Sequence, residues 1–264
     1  MSNVESSEEA VLELIALIRD TPLASLDDVD LDALRAALPG PPLKATEGDN
    51  KKATLAGASP LLFAEDVSEQ QKTDVEITVL FAQLATAAKF IKSENQWGSY
   101  DAYRFYVRTL NSIGWRLSLD SYEQLDNSRV TGSLDNLLLS LLQTSDPSFK
   151  TLFSKVIDHI KESALAGKIF GLLATSGSRA MFQTGTVAIN SDRVLMDFGA
   201  YGFEAKEHID RILFWNFTRQ SAKFYQGYTQ ASLIPSIMDR IRKPLIDKLG
   251  YRIEKYIYQV PLLD

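Results

Sequence analysis

Side chains able to do chemistry are few in this sequence, and their spacing is poor. It holds two histidines, His159 in VIDHIKE and His208 in AKEHID. Imidazole and carboxylate ligands bind a metal only when they converge, as in HExxH or HxH. Asp158 is adjacent to His159 and so falls off its helix face. Both histidines therefore read as surface residues that nothing orients for acid–base work. LLATSGSRAMF contains Ser176, Gly177 and Ser178 but not the GxSxG frame of a nucleophile elbow. LMDFGAYGF contains Asp197-Phe198-Gly199, the tripeptide that binds metal in kinases, without a Gly-rich loop, HRD or lysine strand. It reads as a strand with a glycine bulge. Asp120, Glu123 and Asp126 have the chemistry for a paired-carboxylate mechanism, but their spacing reads as a solvated loop. The chain has no cysteine, which removes disulfides, thiolate catalysis and Cys-ligated zinc. No catalytic residue, cofactor or metal is expected.

Two stretches carry the chemistry of contact instead. Around 235–255 the cations Arg240, Arg242, Lys243, Lys248, Arg252 and Lys255 outnumber Asp239, Asp247 and Glu254. Ile237, Ile241, Leu245 and Leu249 recur there at helical spacing. A basic amphipathic helix can lie on an anionic membrane; it can equally pack on a sheet with its charges in water. The second stretch is RILFWNFTRQSAKFYQGYTQ, with Phe214, Trp215, Phe217, Phe224, Tyr225 and Tyr228. RILFWNF is apolar on both faces and reads as a covered, central strand. AKFYQGYTQ is more polar and suits a half-exposed strand, with Tyr225 and Tyr228 on opposite faces. The candidate contacts to a membrane or partner are Arg240, Arg242, Lys243, Lys248, Trp215 and Tyr225.

The elements that must position these residues follow from periodicity. Helices are predicted over 8–20, 27–37, 69–92, 99–113, 134–143, 147–163, 165–174 and 235–249, with Gly114 and Gly250 as stops. A strand is predicted in WRLSLDSY. From residue 178 the period changes from 3.6 to 2. FQTGTVAI, RVLMDFGAYGFE, RILFWNF and AKFYQGYTQ follow one another across short polar gaps, which predicts an antiparallel β-meander of about four strands. A last strand is predicted over 251–259. The fold class is α+β: a mostly helical N-terminal half, the meander, then a C-terminal helix. Residues 39–60 carry four prolines and three glycines without periodicity and read as a linker. The expected division is an acidic helical appendage over 1–38, a linker over 39–60 and an α+β domain over 61–264.

Charge separates along the same lines. The net charge is −6, and residues 1–59 hold 11 of the 34 acids against 5 of the 28 bases. The remainder is balanced, so a nucleic-acid partner is not expected. The first residues lack the basic start of a secretory signal, and no apolar run approaches the ~20 residues of a membrane span. The expectation is a soluble protein made in the cytoplasm, whose export would use a signal-independent route.

Phe182-Gln183, GAYGF (199–203), ILFWNF (212–217), KFYQGYTQASL (223–233) and KPLIDKLG (243–250), with WGSYDAYRFYVRTLNSIGW (97–115), resemble a family of microbial proteins of insect- or plant-associated bacteria and some fungi. More distantly the length and the helix-then-sheet order are similar to the insect-gut virulence factor Evf. The resemblance implies an α/β fold and association with membranes. Evf is lipidated on cysteine, and this chain has none, so attachment would rest on the basic helix or an exposed apolar face. The function expected is a non-enzymatic, effector- or virulence-factor-like protein that binds a host membrane or protein. The alternatives are a cytoplasmic protein-interaction module and an enzyme whose polar site assembles only in the fold.

Overall fold

Alternating apolar residues and three long strand runs set up a sheet that helices cover on both faces. The computed structural model describes residues 8–25, 31, 52–92, 96–117, 122–125, 132–133, 147–191, 193–209, 216–217 and 222–261. Its strands are β1 (Lys52–Ala56), β2 (Ser59–Phe63), β3 (Trp115–Leu117), β4 (Tyr122–Gln124), β5 (Gly132–Ser133), β6 (Thr175–Ser176), β7 (Arg179–Asn190), β8 (Arg193–Ala205), β9 (Asn216–Phe217), β10 (Ala222–Leu233) and β11 (Ile257–Gln259). Among the described residues, nine of them form one sheet in the order β11-β1-β2-β7-β8-β10-β3, with β4 also on β10 and β6 also on β7. Its one parallel pairing joins β2 to β7, which makes the sheet mixed. β5 and β9 pair separately.

The helices are α1 (Glu8–Asp20), α2 (Glu69–Phe90), α3 (Tyr100–Ser112), α4 (Pro147–Glu162), α5 (Ala164–Ala174), α6 (Pro235–Leu249) and α7 (Arg252–Tyr256). Side chains alternate across a strand, so neighbouring residues report the two layers. Thr54 and Gln259 are cross-strand partners and both reach Glu76 of α2. The adjacent Tyr258 turns to the other face and stacks on His159 of α4. Helices α2 and α3 cover the first face, and α6 packs on α2. Trp115 Nε1 there donates to Thr78 Oγ1 (3.0 Å), and Tyr106 stacks on Phe198. On the second face Phe170 of α5 meets Phe182, which continues through Phe203 to Phe224 across three strands.

Helix α2 is the centre of the molecule. Ser68 caps it, accepting from the Gln71 amide while its own N–H donates to Gln71 Oε1 (2.9 Å). Almost every residue from Asp74 to Ala87 is buried, as befits a helix with no solvent face. α1 packs on α6, and the Ala24 amide donates to the Leu84 carbonyl of α2 (3.0 Å).

Four expectations change. The meander has three long strands, because β8 pairs directly with β10 from Ala205↔Ala222 to Leu195↔Ser232. That ladder leaves no slot for RILFWNF between them. Asn216 and Phe217 pair with β5 instead, and residues 211–215 lie outside the described ones. The sheet is completed by segments distant in sequence, the 52–63 hairpin and the 257–259 strand. Residues 52–60, expected as the end of a linker, lie in that hairpin, where Leu55, Ala56 and Ser59 are fully buried. The expected boundary after Pro60 therefore falls inside β2. Pro60 is tolerated because the ladder with β7 begins one residue later, at Leu61. Residues 252–256 are helical, and only 257–259 form a strand. Gly199 sits in an unbroken ladder opposite Thr184 and Tyr228, without a bulge. A Cβ there would come within 2.7 Å of the Tyr201 hydroxyl and 2.9 Å of Thr184 Oγ1. The predicted helices over 27–37 and 134–143 lie outside the described residues, apart from a buried Leu31.

Candidate functional site

The basic face of α6 begins as a pattern of charges, and the fold decides which of them remain available. Arg242 turns inward. Its Nε and Nη2 donate to Oδ1 and Oδ2 of Asp74 (2.7 and 2.9 Å), with a further bond from Nη2 to Asp239 (3.1 Å). The Asp74 bond, helped by its charge, raises the Arg242 pKa against the opposing effect of burial. Lys248 donates to the carbonyl of Arg19, at the end of α1. Both cations thus join elements of the fold. Lys243 bridges Asp247 (2.7 Å) in an exposed i,i+4 pair, which leaves it open to other ligands. Arg240 is exposed. Ile246 lies three residues beyond Lys243 and is exposed, and Tyr251 follows at 52% exposure. The Arg252 guanidinium lies 4.9 Å from the Tyr251 ring centre. Helix α1, resting on α6, presents Leu12 at 62% exposure.

Trp215 lies outside the described residues. Tyr225 is half-buried and belongs to an aromatic stack. Tyr103 of α3 stacks on Tyr122 of β4 (4.5 Å between centres), and Tyr122 stacks on Tyr225 (5.9 Å). Tyr100, 52% exposed, leans on both Tyr103 and Tyr122. Two glycines make the room. A Cβ on Gly227 would meet Tyr103 Cζ at 2.8 Å, and one on Gly202 would meet the Gly98 carbonyl oxygen at 2.5 Å. The Tyr122 hydroxyl donates to Gly98 O (2.9 Å). Burial, then Tyr103 and Tyr225, push its pKa above the ordinary tyrosine value, while Arg179 opposes them. The sequence brings Tyr225 near nothing in particular. Register pairs it with Gln124 and Gly202, and that is what assembles the stack.

A second polar cluster lies where α2 crosses β2 and β7. Gln83 Nε2 donates to Ser59 Oγ and Gln183 Oε1 (2.7 Å), and the Ala58 amide donates to Gln83 Oε1 (2.9 Å). Tyr106 lines the same narrow crevice. Burial drives its hydroxyl pKa upward, with a smaller opposing pull from Ser59. Gln83, Ser59, Gln183 and the Ala58 amide satisfy one another and rigidify the centre, while the buried Tyr106 hydroxyl has no hydrogen-bond partner among the described residues. His159 Nε2 lies 3.1 Å from the Tyr258 hydroxyl, and burial lowers its pKa. Among the described residues no group of three His, Cys, Asp or Glu is placed to hold a metal. No helix there is long and apolar enough to cross a membrane.

No protein-family model matches the sequence, and no curated protein matches it. Solved structures match weakly, three of them as follows. A delta-endotoxin aligns at TM-score 0.33 and 10% identity, covering 66% of this chain and 79% of its own. The activated Cyt2Ba monomer from Bacillus thuringiensis subsp. israelensis aligns at 0.23 and 9%, covering 57% and 90%. The Evf virulence factor aligns at TM-score 0.33 and 10% identity, covering 83% of this chain and 90% of that one.

Proposed function

We propose that the protein is a toxin-like or virulence-factor-like binding protein without catalysis of its own, and that it engages an anionic membrane surface through α6 and the turn after it. The observation that carries this reading is the exposed run Arg240, Lys243, Ile246 and Tyr251. Cations flanking exposed apolar side chains are the chemistry with which a helix lies in a lipid interface. Arg242 and Lys248 support the surface from behind by fixing α6 to α2 and α1. Each lysine or arginine near an anionic surface contributes about 1 kcal/mol, so the R240A/K243A pair should weaken vesicle binding roughly thirtyfold. The test is co-sedimentation of the full chain with anionic and neutral vesicles at two salt concentrations. Binding confined to anionic vesicles, weakened by salt and by the double substitution, supports the reading. Equal binding by the double variant, or none by the wild type, refutes it. Recognition of a protein partner is favoured by a separate observation, the tyrosines Tyr100, Tyr122 and Tyr225 at one surface, since tyrosine is enriched among binding hot spots. That reading predicts that Y100A/Y225A leaves vesicle binding unchanged and abolishes partner binding.

A further inference from the structure

We propose that the C-terminal strand β11 is latched to the sheet by a proton: Glu76, Thr54 and Gln259 close a ring of hydrogen bonds that is complete only with a neutral Glu76 carboxyl, so β11 loosens as pH rises. Thr54 Oγ1 lies 2.7 Å from Glu76 Oε1 and 3.0 Å from Gln259 Oε1, and Gln259 Nε2 lies 3.1 Å from Glu76 Oε1. The threonine hydroxyl carries one proton and can donate to only one of its two oxygen neighbours. With an ionised Glu76, one of the two oxygen–oxygen contacts has no hydrogen in it. A carboxylic acid supplies the missing one. Glu76 then donates to Thr54, Thr54 donates to Gln259 Oε1, and Gln259 Nε2 donates back to Glu76. Turning the Gln259 amide over changes nothing, because its oxygen would then face Glu76 Oε1 and again require a proton between them.

The surroundings agree with this count. Glu76 and Thr54 are buried, at 7% and 1% exposure. Burial is the largest influence on Glu76 and raises its pKa, with a smaller push from the Glu69 charge; the bonds from Thr54 and Gln259 and the Lys72 ammonium pull the other way. The charged groups nearby are engaged elsewhere. Lys52 of β1 and Lys72 of α2 both bridge Glu69. Arg242 of α6 is held by Asp74. On α7, Arg252 and Lys255 lie over the Tyr251 ring. Tyr258 of β11 points away, to His159.

The sign follows from linkage. A carboxyl whose folded pKa stands above its ordinary value of 4.5 releases a proton when the strand opens, in the window between the two values. Within that window the opening equilibrium rises by up to tenfold per pH unit, and above it the rise stops. Release of β11 would uncover the outer edge of β1 and part the His159–Tyr258 contact.

The test is amide hydrogen exchange of residues 257–260 in the full chain from pH 5 to 9, corrected for the intrinsic pH dependence of exchange. The wild type should show the tenfold-per-unit rise and then a plateau. Glu76→Gln, which offers Thr54 a permanent donor, should keep the strand protected without that slope. A flat wild-type profile, or the same slope in Glu76→Gln, overturns the proposal. Infrared spectroscopy of the wild type gives an answer that no variant's folding affects. A protonated carboxyl band that persists at pH 6 supports the latch, and its absence overturns it.

Discussion

Arg242→Ala is the most informative single substitution. The side chain of Asp74 is 7% exposed and that of Arg242 is 25% exposed, and the two meet in a bidentate pair of 2.7 and 2.9 Å. Without the guanidinium, Asp74 keeps the bond from the Gln70 side-chain amide at 3.1 Å but loses its charged partner. Breaking a buried pair from one side costs about 3–5 kcal/mol, because the remaining charge stays desolvated. Water reaches this pair through the quarter-exposed arginine, so the low end, about 3 kcal/mol, is expected. In a chain of this size each kcal/mol lowers Tm by roughly 2–4 °C, which gives a fall of roughly 6–12 °C. Urea denaturation should show a lower midpoint at unchanged m-value. Asp74→Ala with Arg242→Ala should cost much less than the two changes added together, since neither charge is then orphaned. A loss under about 1 kcal/mol for Arg242→Ala would place the pair among ordinary surface bridges. Strict additivity in the cycle would refute the reasoning, and Arg242 would return to the list of free cations on α6.

Two further outcomes follow from the packing and the charges. Gly227→Ala puts a Cβ 2.8 Å from a carbon of the fully buried Tyr103 ring, so it should destabilise by about 1–3 kcal/mol and weaken the near-ultraviolet tyrosine signal of the Tyr103–Tyr122–Tyr225 stack. Glu69→Gln probes the opposite titration from Glu76. The Lys52 bond chiefly lowers the Glu69 pKa below 4.5, so its contribution is present above that value and is lost as pH falls through the lowered one. Glu69 is 74% exposed, and the substitution should cost under about 1 kcal/mol at pH 7, shrinking in acid, as urea midpoints at the two pH values would report.

Local pattern carried most of the helices. The 235–249 helix falls where the Pro235 start and Gly250 stop place it, and Gly250 has the positive φ of 53° that glycine accommodates. The 69–92 expectation lands on Glu69–Phe90. What the pattern misjudged was pairing. A strand's period shows that it has two faces but does not identify its neighbour, so periodicity alone places consecutive runs side by side in the sheet. RILFWNF looked central because both of its faces are apolar, yet β8 and β10 meet without it. Residues 52–60 looked like a linker because the prolines and glycines around them mask a short apolar strand whose partner, β11, lies some 200 residues away. The candidate cations were legible as a group, but their fates were not. Asp74 and Arg242 are 168 residues apart, and no helical spacing connects them.

The polar residues that most resisted a sequence reading hold α2 in place. Apolar burial is non-directional, so an apolar helix on an apolar sheet gains little from one register over the next. The side chains of α2 break that degeneracy. Asp74 meets α6, Glu76 meets β1 and β11, Thr78 meets β3, and Gln83 meets β2 and β7. A slip by one turn moves each about 5.4 Å and leaves every partner unsatisfied, at about 1–3 kcal/mol apiece. The register is therefore held at several independent points. Of these points, the two uncharged ones, Gln83 at β2 and β7 within the sheet and Thr78 at β3 on the edge opposite β11, do not respond to pH. The bond at Glu76 holds the outermost strand. A change in pH acting through that carboxyl would therefore be felt first at the sheet's edge, with the register of α2 kept by the remaining contacts.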